Sequence, residues 1–206
     1  MTTFLLIRHG ENDWTGRRLP GWAPGVNLNA RGRAQAQALA QLLRPVRLAE
    51  ICSSPLPRTM ETARPLARAK GLPVRRLRGL AEMQVGAWEG QSLRRLSRSA
   101  LWPIIQRTPS LARFPGGESF PEAQARIVAA LEDLRRRHPA PRAIIACFSH
   151  ADMIKLAVAH YIGLPLDLFQ RLGVEPASIT ALHVGNGRAF LARLNDSRAT
   201  AAGGGG

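Results

Sequence analysis

Three apolar segments of the sequence end in polar side chains that are suited to phosphoryl chemistry. "TFLLI" is followed by Arg8 and His9, "IIACF" leads through a serine to His150, and "AEIC" is followed by two serines and then by Arg58. A neutral imidazole can attack phosphorus in line. Guanidinium groups bind the equatorial phosphoryl oxygens and offset the charge that grows in the transition state. If these side chains meet, they form a binding pocket for a phosphoryl group.

Such a reaction also needs a general acid to protonate the leaving oxygen. The segment "LAEMQVGAWEG" has the composition of a loop and offers two carboxyl groups, Glu82 and Glu89. Every role is then filled by a side chain, so we expect neither a cofactor nor a metal ion.

The elements that must bring these residues together are predicted by hydrophobic periodicity and by cap and turn signals. Predicted strands are residues 3–8, "LAEICSSP", "GLPVRRL", "RAIIACFSH" and a hairpin around Asn186-Gly187. Four helices are predicted. The first begins after an Asn29 cap, and the second spans residues 56–70. The third runs from a Ser119/Glu122 capping box to about Arg137, and the fourth spans residues 151–162. This alternation predicts an α/β fold with a mostly parallel sheet and right-handed crossovers. Parallel strands place their carboxyl ends at one edge, where ligands bind.

Composition excludes several other classes of protein. The 206 residues include 45% hydrophobic and 21% charged residues, which is globular. No apolar run approaches the ~20 residues of a membrane span, and no signal-peptide pattern begins the chain, so we expect a cytoplasmic protein. Two cysteines, Cys52 and Cys147, cannot build a disulfide framework. We expect one domain over residues 1–195 and a disordered tail over 196–206.

The net charge of +15 raises the question of nucleic-acid binding. The arginines are scattered along the whole chain, and no nucleic-acid-binding motif accompanies them. We therefore expect a small anionic substrate as the partner, with nucleic acid disfavoured.

Five motifs occur in this order along the chain: "RHGENDW", "SSPLPRTMETA", "LAEMQVGAWEG", "PGGES" and "SHADMIK". Together they resemble the histidine phosphatase superfamily, the phosphoglycerate mutase-like group. The final block, "FQRLGVEPASIT", resembles its branch of phosphatases and phosphomutases. The resemblance extends from Phe4 to Leu194. It implies a three-layer α/β/α sandwich with a mostly parallel central sheet, and it admits a homodimer.

The resemblance also implies a role for each residue at a motif position. His9 is the nucleophile that becomes phosphohistidine, Arg8 and Arg58 bind the phosphoryl group, and His150 binds it and stabilises the transition state. Glu82 protonates the leaving group and then activates water.

The residues that follow these motif positions leave some roles open. Asn12 and Thr15 are expected to contact substrate, although the family often has other residues there. Arg17, with its neighbour Arg18, is expected to reach a second anionic group. Asp152 departs from the usual small residue and either caps the following helix, which we favour, or discriminates among substrates.

The catalytic motif alone leaves more than one function open. The first is a metal-independent phosphomonoesterase acting on a small phosphorylated metabolite, and the second is a phosphoglycerate mutase-type phosphomutase. Family mutases carry a longer, Arg/Lys/Tyr-rich insert between Glu89 and Pro115, whereas this stretch is short and has no tyrosine. That favours the phosphatase. A phospho-ligand or nucleic-acid binding protein without turnover, and a phosphoprotein phosphatase, are the remaining alternatives.

Overall fold

The computed structural model describes residues 1–185 and 187–198. Its strands are β1 (Thr2–Arg8), β2 (Glu50–Ser53), β3 (Val74–Arg76), β4 (Ile144–Ser149), β5 (Ile179–Gly185) and β6 (Arg188–Asp196). Its α-helices are α1 (Ala30–Leu42), α2 (Pro57–Lys70), α3 (Leu93–Leu96), α4 (Leu101–Arg107), α5 (Phe120–Arg137) and α6 (Ala151–Ile162). Short 3-10 turns lie at Arg78–Leu80, Gly86–Trp88, Pro109–Leu111 and Leu166–Arg171.

The six strands form one sheet in the order β3-β2-β4-β1-β5-β6. The first four are parallel to one another, and β5 and β6 run antiparallel at the far edge. This confirms the mostly parallel sheet and the carboxyl-terminal hairpin. Of the predicted hairpin turn, Asn186 lies outside the described residues, as do residues 199–206 of the predicted tail.

Both faces of the sheet are covered by helices, which confirms the three-layer sandwich. Strand β1 shows why, because Phe4 and Leu6 point to one face while Leu5 and Ile7 point to the other, and all four are buried. The first face packs against α5 and α6, and the second against α1 and α2. A strand that is buried on both sides can present polar groups only at its ends.

The predicted helix starts are confirmed by their caps. The side chain of Asn29 accepts a hydrogen bond from the Gly32 amide at the start of α1. Ser119 and Glu122 form a complete capping box at the start of α5. Between residues 92 and 117 the chain forms only the short helices α3 and α4 and the 3-10 turn at Pro109–Leu111, as the prolines of that stretch predict.

Candidate active site

The carboxyl ends of β1 and β4 are neighbours, and they place the two histidines side by side. Arg8 pairs in register with Ser149, and the His9 amide donates to the Ser149 carbonyl at 3.1 Å. The rings of His9 and His150, one residue past each strand, have centroids 5.3 Å apart. The predicted convergence at this sheet edge is therefore present.

His9 is held in a defined orientation. Its Nδ1 lies 2.7 Å from the Gly10 carbonyl oxygen, which can only accept, so Nδ1 carries the proton and Nε2 keeps its lone pair. Burial, followed by the positive charges of Arg58 and Arg8, lowers the pKa of His9 well below its usual range. The ring is consequently a neutral imidazole with a free nitrogen.

Two glycines fix the backbone beneath this ring. A Cβ on Gly10 would lie 2.6 Å from the Gly32 carbonyl oxygen, and a Cβ on Gly32 would lie 2.0 Å from the Glu11 carbonyl oxygen. The loop after β1 can therefore rest directly on the first turn of α1. The Gly10 amide also donates to the Thr62 hydroxyl of α2 at 3.0 Å.

Arg58 projects from the first turn of α2 and is fully buried. One of its nitrogens, Nη2, lies 2.9 Å from the Gly21 carbonyl oxygen and 3.2 Å from Nδ1 of His150. Its Nε and Nη1 have no partner among the described residues. Burial lowers its pKa to about 10, so the guanidinium stays charged at neutral pH. Two buried, unpaired donors on a cation form a site for an anion.

Arg8 contributes a further unpaired donor at the same edge. Its Nη1 donates to the Val174 carbonyl at 2.7 Å, while its Nε has no partner within the described part of the chain. Burial lowers its pKa as well, against the opposing charges of Glu82, Asp152 and Glu175.

His150 lies between Arg58 and the loop that carries Glu82. Its Nε2 is 2.9 Å from the Ser54 hydroxyl, and its Nδ1 is 3.6 Å from a Glu82 carboxylate oxygen. Because Arg58 can only donate, Nδ1 accepts and Nε2 donates to Ser54. Burial and the charge of Arg58 lower the pKa of His150 well below its usual range.

Glu82 has the electrostatics of a group that exchanges protons near neutral pH. Burial raises its pKa to about 7, with the charge of Arg58 opposing that rise and the charge of Asp152 adding to it. Its side chain is only 16% exposed. The second candidate acid, Glu89, is exposed and accepts a hydrogen bond from the Trp22 amide at 2.8 Å.

The loop around Glu82 is held from below by Arg126 of α5. The Arg126 guanidinium donates to three carbonyls between residues 78 and 81 and to the Glu82 carbonyl. It also binds Glu118 through two nitrogens, at 2.8 and 2.9 Å, and Glu118 accepts from the Gln84 amide. Trp22 donates its indole N–H to the Glu82 carbonyl at 2.7 Å. The acid is thus fixed by its main chain.

A cavity of about 380 Å³ opens at this sheet edge, and we call it the edge cavity. Its lining includes these side chains from the end of β1, the first loop, the acid loop, α3, α6 and the loop before β5: Arg8, His9, Asn12, Trp14, Thr15, Arg18, Glu82, Leu93, Asp152, Lys155 and Glu175. Within the described residues, no group of three or more histidine, cysteine, aspartate and glutamate side chains is placed to hold a metal ion.

The sequence of the chain matches a known family over nearly its whole length. Residues 4–197 match the sequence model of the histidine phosphatase superfamily, branch 1. The chain belongs to this superfamily. The resemblance found in the five motifs is therefore confirmed.

Two relatives with different names are similar to this chain in sequence. Phosphoserine phosphatase 1 of Hydrogenobacter thermophilus is 31% identical, over 95% of this chain and 92% of its own length. Probable phosphoglycerate mutase GpmB of Photorhabdus laumondii subsp. laumondii is 30% identical, over 87% and 84%.

Solved structures share the fold of this superfamily member. YhfR of Bacillus stearothermophilus superposes with a TM-score of 0.90 at 27% identity, covering 97% of this chain and all of its own. The mycobacterial glucosyl-3-phosphoglycerate phosphatase complexed with VO3 has a TM-score of 0.86 at 28% identity, covering 94% and 98%.

The substrate-contact residues expected in this superfamily member are only partly brought to the cavity. Asn12 and Thr15 line it, and they are linked by a 3.2 Å hydrogen bond from the Asn12 amide to the Thr15 hydroxyl. Arg17 is exposed and lies outside the lining, whereas Arg18 is part of it. Arg17 is the last residue of a turn over residues 13–17, whereas Arg18 forms an isolated bridge with Ser92, so the two side chains separate.

The favoured interpretation of Asp152 as a helix cap is wrong. The capping position of α6 is occupied by His150, and no side chain caps that end. Asp152 lies within the first turn, 3.5 Å from Nζ of Lys155, and faces the edge cavity.

Two charged lining residues, Lys155 and Glu175, were missed from the sequence. Lys155 lies one turn after Ala151 on α6, so the helical spacing after "SH" is a signal that would have found it. Glu175 comes from a loop whose path no local pattern predicts.

Proposed function

We propose that this histidine phosphatase is a metal-independent phosphomonoesterase that acts on a small phosphorylated metabolite through a phosphohistidine on His9. One observation carries the proposal. A neutral His9, oriented through Gly10, shares the edge cavity with a Glu82 whose pKa is about 7, and Arg8 and Arg58, whose charges act on both side chains, keep unpaired donors.

In the first step, Nε2 of His9 attacks phosphorus and the bond from phosphorus to the ester oxygen breaks. Glu82 gives its proton to that oxygen, so an alcohol leaves rather than an alkoxide. Arg8 and Arg58 hold the three phosphoryl oxygens and stabilise their charge. His150, next to the Arg58 guanidinium, binds the same phosphoryl group and stabilises the transition state.

In the second step, the Glu82 carboxylate takes a proton from water as the water oxygen attacks phosphorus. The phosphorus–nitrogen bond breaks, inorganic phosphate forms, and Glu82 is again protonated. A pKa near 7 suits this double duty, because both forms are populated at neutral pH.

The segment between residues 89 and 115 favours hydrolysis of the phosphohistidine by water over transfer of the phosphoryl group back to a substrate. Its two short helices contribute Leu93 to the edge cavity, and none of its five arginines is part of the lining. The relatives named as probable phosphoglycerate mutases support phosphoryl transfer back to substrate as the alternative.

The remaining properties follow from the same proposal. Residues 1–195 act as one domain on a small anionic ligand, and not on nucleic acid, and the resemblance to the family admits a homodimer. No helix in the described residues is long and apolar enough to cross a membrane. The free, buried thiols of Cys52 and Cys147 fit a reducing compartment such as the cytoplasm.

Phosphate release from a panel of small phosphomonoesters in EDTA tests the function. We expect turnover by the wild-type enzyme and at least a thousandfold loss in His9→Ala, because no other side chain can form the phosphohistidine. Turnover that survives in His9→Ala contradicts the mechanism. If no ester releases phosphate, conversion of 3-phosphoglycerate to 2-phosphoglycerate with a bisphosphate primer identifies the mutase.

A further inference from the structure

The edge cavity contains two carboxylates that the proposed reaction does not use. Asp152 lies in the first turn of α6 and Glu175 in the loop before β5, and both line the cavity. Their charges raise the pKa of Arg8, and that of Asp152 raises the pKa of Glu82, so both carboxylates act on the phosphoryl site. Like charges repel, so they lower the affinity for a substrate that is only anionic.

Neither carboxylate forms a short ion pair within the described residues. The only ion pair of Asp152 within the described chain is with Lys155, at 3.5 Å. Lys155 is also 3.2 Å from the Gln170 side-chain oxygen and lies over the ring of Phe169. Glu175 forms no ion pair within residues 1–185 and 187–198. A cation on the substrate could pair with these two carboxylates.

We propose that Asp152 and Glu175 bind a primary ammonium group of the substrate. The substrate class is then a phosphomonoester of an amino alcohol or of a hydroxy amino acid. This inference rests on the proposed phosphatase function and assigns its specificity. The ammonium group donates three hydrogen bonds, which the two carboxylates accept, while the phosphoryl group lies at Arg8 and Arg58.

The charges on the rest of the cavity wall fit the same class of substrate. Lys155 and Arg18 line the cavity as well, and Arg18 is held by the Gly90 carbonyl at 3.0 Å and by the ring of Trp14. They offer two cations to a substrate carboxylate when one is present. The phosphoryl group, the ammonium group and the carboxylate of such a substrate therefore each meet side chains of opposite charge.

Two matched pairs of esters test the ammonium site. O-Phosphoserine has an amine where 3-phosphoglycerate has a hydroxyl group. O-Phosphoethanolamine and 2-hydroxyethyl phosphate form the same comparison without a carboxylate. In EDTA, which removes divalent cations as competing occupants, we expect kcat/KM to favour the amine in both pairs. Charge-assisted hydrogen bonds correspond to a factor of about 10 to 100. Asp152→Asn should lower each ratio by at least tenfold, and Glu175→Gln by a smaller factor.

Asp133→Asn is the matched control, because it removes one exposed carboxylate of α5 and should leave both ratios unchanged. p-Nitrophenyl phosphate, which carries no amine, reports whether each variant is folded with an intact phosphoryl site.

The outcomes separate this inference from the proposed function. His9-dependent hydrolysis of p-nitrophenyl phosphate with equal kcat/KM within both pairs overturns the ammonium site and leaves the phosphatase standing. Ratios that Asp152→Asn and Glu175→Gln leave unchanged overturn it too. If the wild type hydrolyses none of the esters, the phosphatase proposal fails instead. The affinities of O-phosphoserine and 3-phosphoglycerate, measured by calorimetry, then decide the ammonium site, and equal affinities overturn it.

Discussion

Glu82 is the residue whose protonation state should govern the pH dependence of the reaction. Its pKa of about 7 means that the acid form needed for leaving-group departure disappears above that pH. We expect kcat/KM for alkyl phosphates to fall about tenfold per pH unit above pH 7. p-Nitrophenyl phosphate, whose leaving group needs no proton, should fall much less.

Replacing Glu82 tests whether this residue is the general acid that protonates the leaving group. Glu82→Gln should slow alkyl phosphates at least a hundredfold and p-nitrophenyl phosphate far less, and the alkaline limb should vanish. Parallel rate profiles for both esters measure this. Equal losses on both esters would show that another group is the acid.

The same carboxyl group should make the active site a source of instability. Its pKa is raised in the folded protein, so the unfolded chain loses the proton from about pH 4.5 while the folded chain keeps it up to about pH 7. The free energy of unfolding therefore falls by up to about 3 kcal/mol as the pH rises from about 4.5 to about 7. Urea unfolding at pH 8 should show Glu82→Gln to be more stable than wild type, with no difference at pH 4. A wild type that is more stable at pH 8 would contradict the raised pKa.

At the scale of elements, the acid loop depends on α5 through Arg126. This side chain donates to four carbonyls of the loop and binds Glu118. Arg126→Gln should lower kcat on alkyl phosphates by about ten- to a hundredfold, because a displaced acid loses its geometry. Hydrolysis of p-nitrophenyl phosphate should be better preserved, since it does not need the acid.

Arg137→Gln, at the exposed end of α5, is the control and should behave as wild type. If Arg126→Gln lowers both esters equally, Arg126 supports the fold as a whole and not the acid in particular.

The contact between the first loop and α1 should tolerate no side chain at Gly32. A Cβ there would lie 2.0 Å from the Glu11 carbonyl oxygen, so the loop or the helix must move. We expect Gly32→Ala to lower the free energy of unfolding by about 2–4 kcal/mol and to reduce turnover by displacing His9. Gly173→Ala, where the nearest atom is 3.6 Å away, is the matched control in the same urea titration. If Gly32→Ala and wild type have equal free energies of unfolding, the loop can move away from α1 without destabilising the fold.

Elements with a strong periodic or capping signal were predictable to within a few residues, and so were the side chains at their ends. His9, Arg58 and His150 follow directly from strand and helix boundaries, because parallel topology brings those boundaries to one edge. Asp152 and Arg17 were misplaced because each required the side-chain direction within a single turn or loop, which sequence patterns do not encode.

At the scale of the whole molecule, the centre of the sheet should be closed to reagents. Cys52 and Cys147 are register partners on β2 and β4 and are fully buried, and burial raises the pKa of both thiols. A thiol reagent should therefore react with neither cysteine in buffer and with both in urea. The rate of labelling then reports global unfolding, and rapid labelling of the native protein would contradict this.

The position of β1 within the sheet has a consequence for biosynthesis. Thr3 pairs with Ile144 on one side, and Phe4 pairs with Leu182 on the other. The strand that carries the nucleophile is translated before the rest of the sheet, yet both of its neighbours are translated only after α1 to α5. A nascent chain must keep "TFLLI" shielded throughout most of its own synthesis, and enzymatic activity can arise only after β5 has emerged from the exit tunnel.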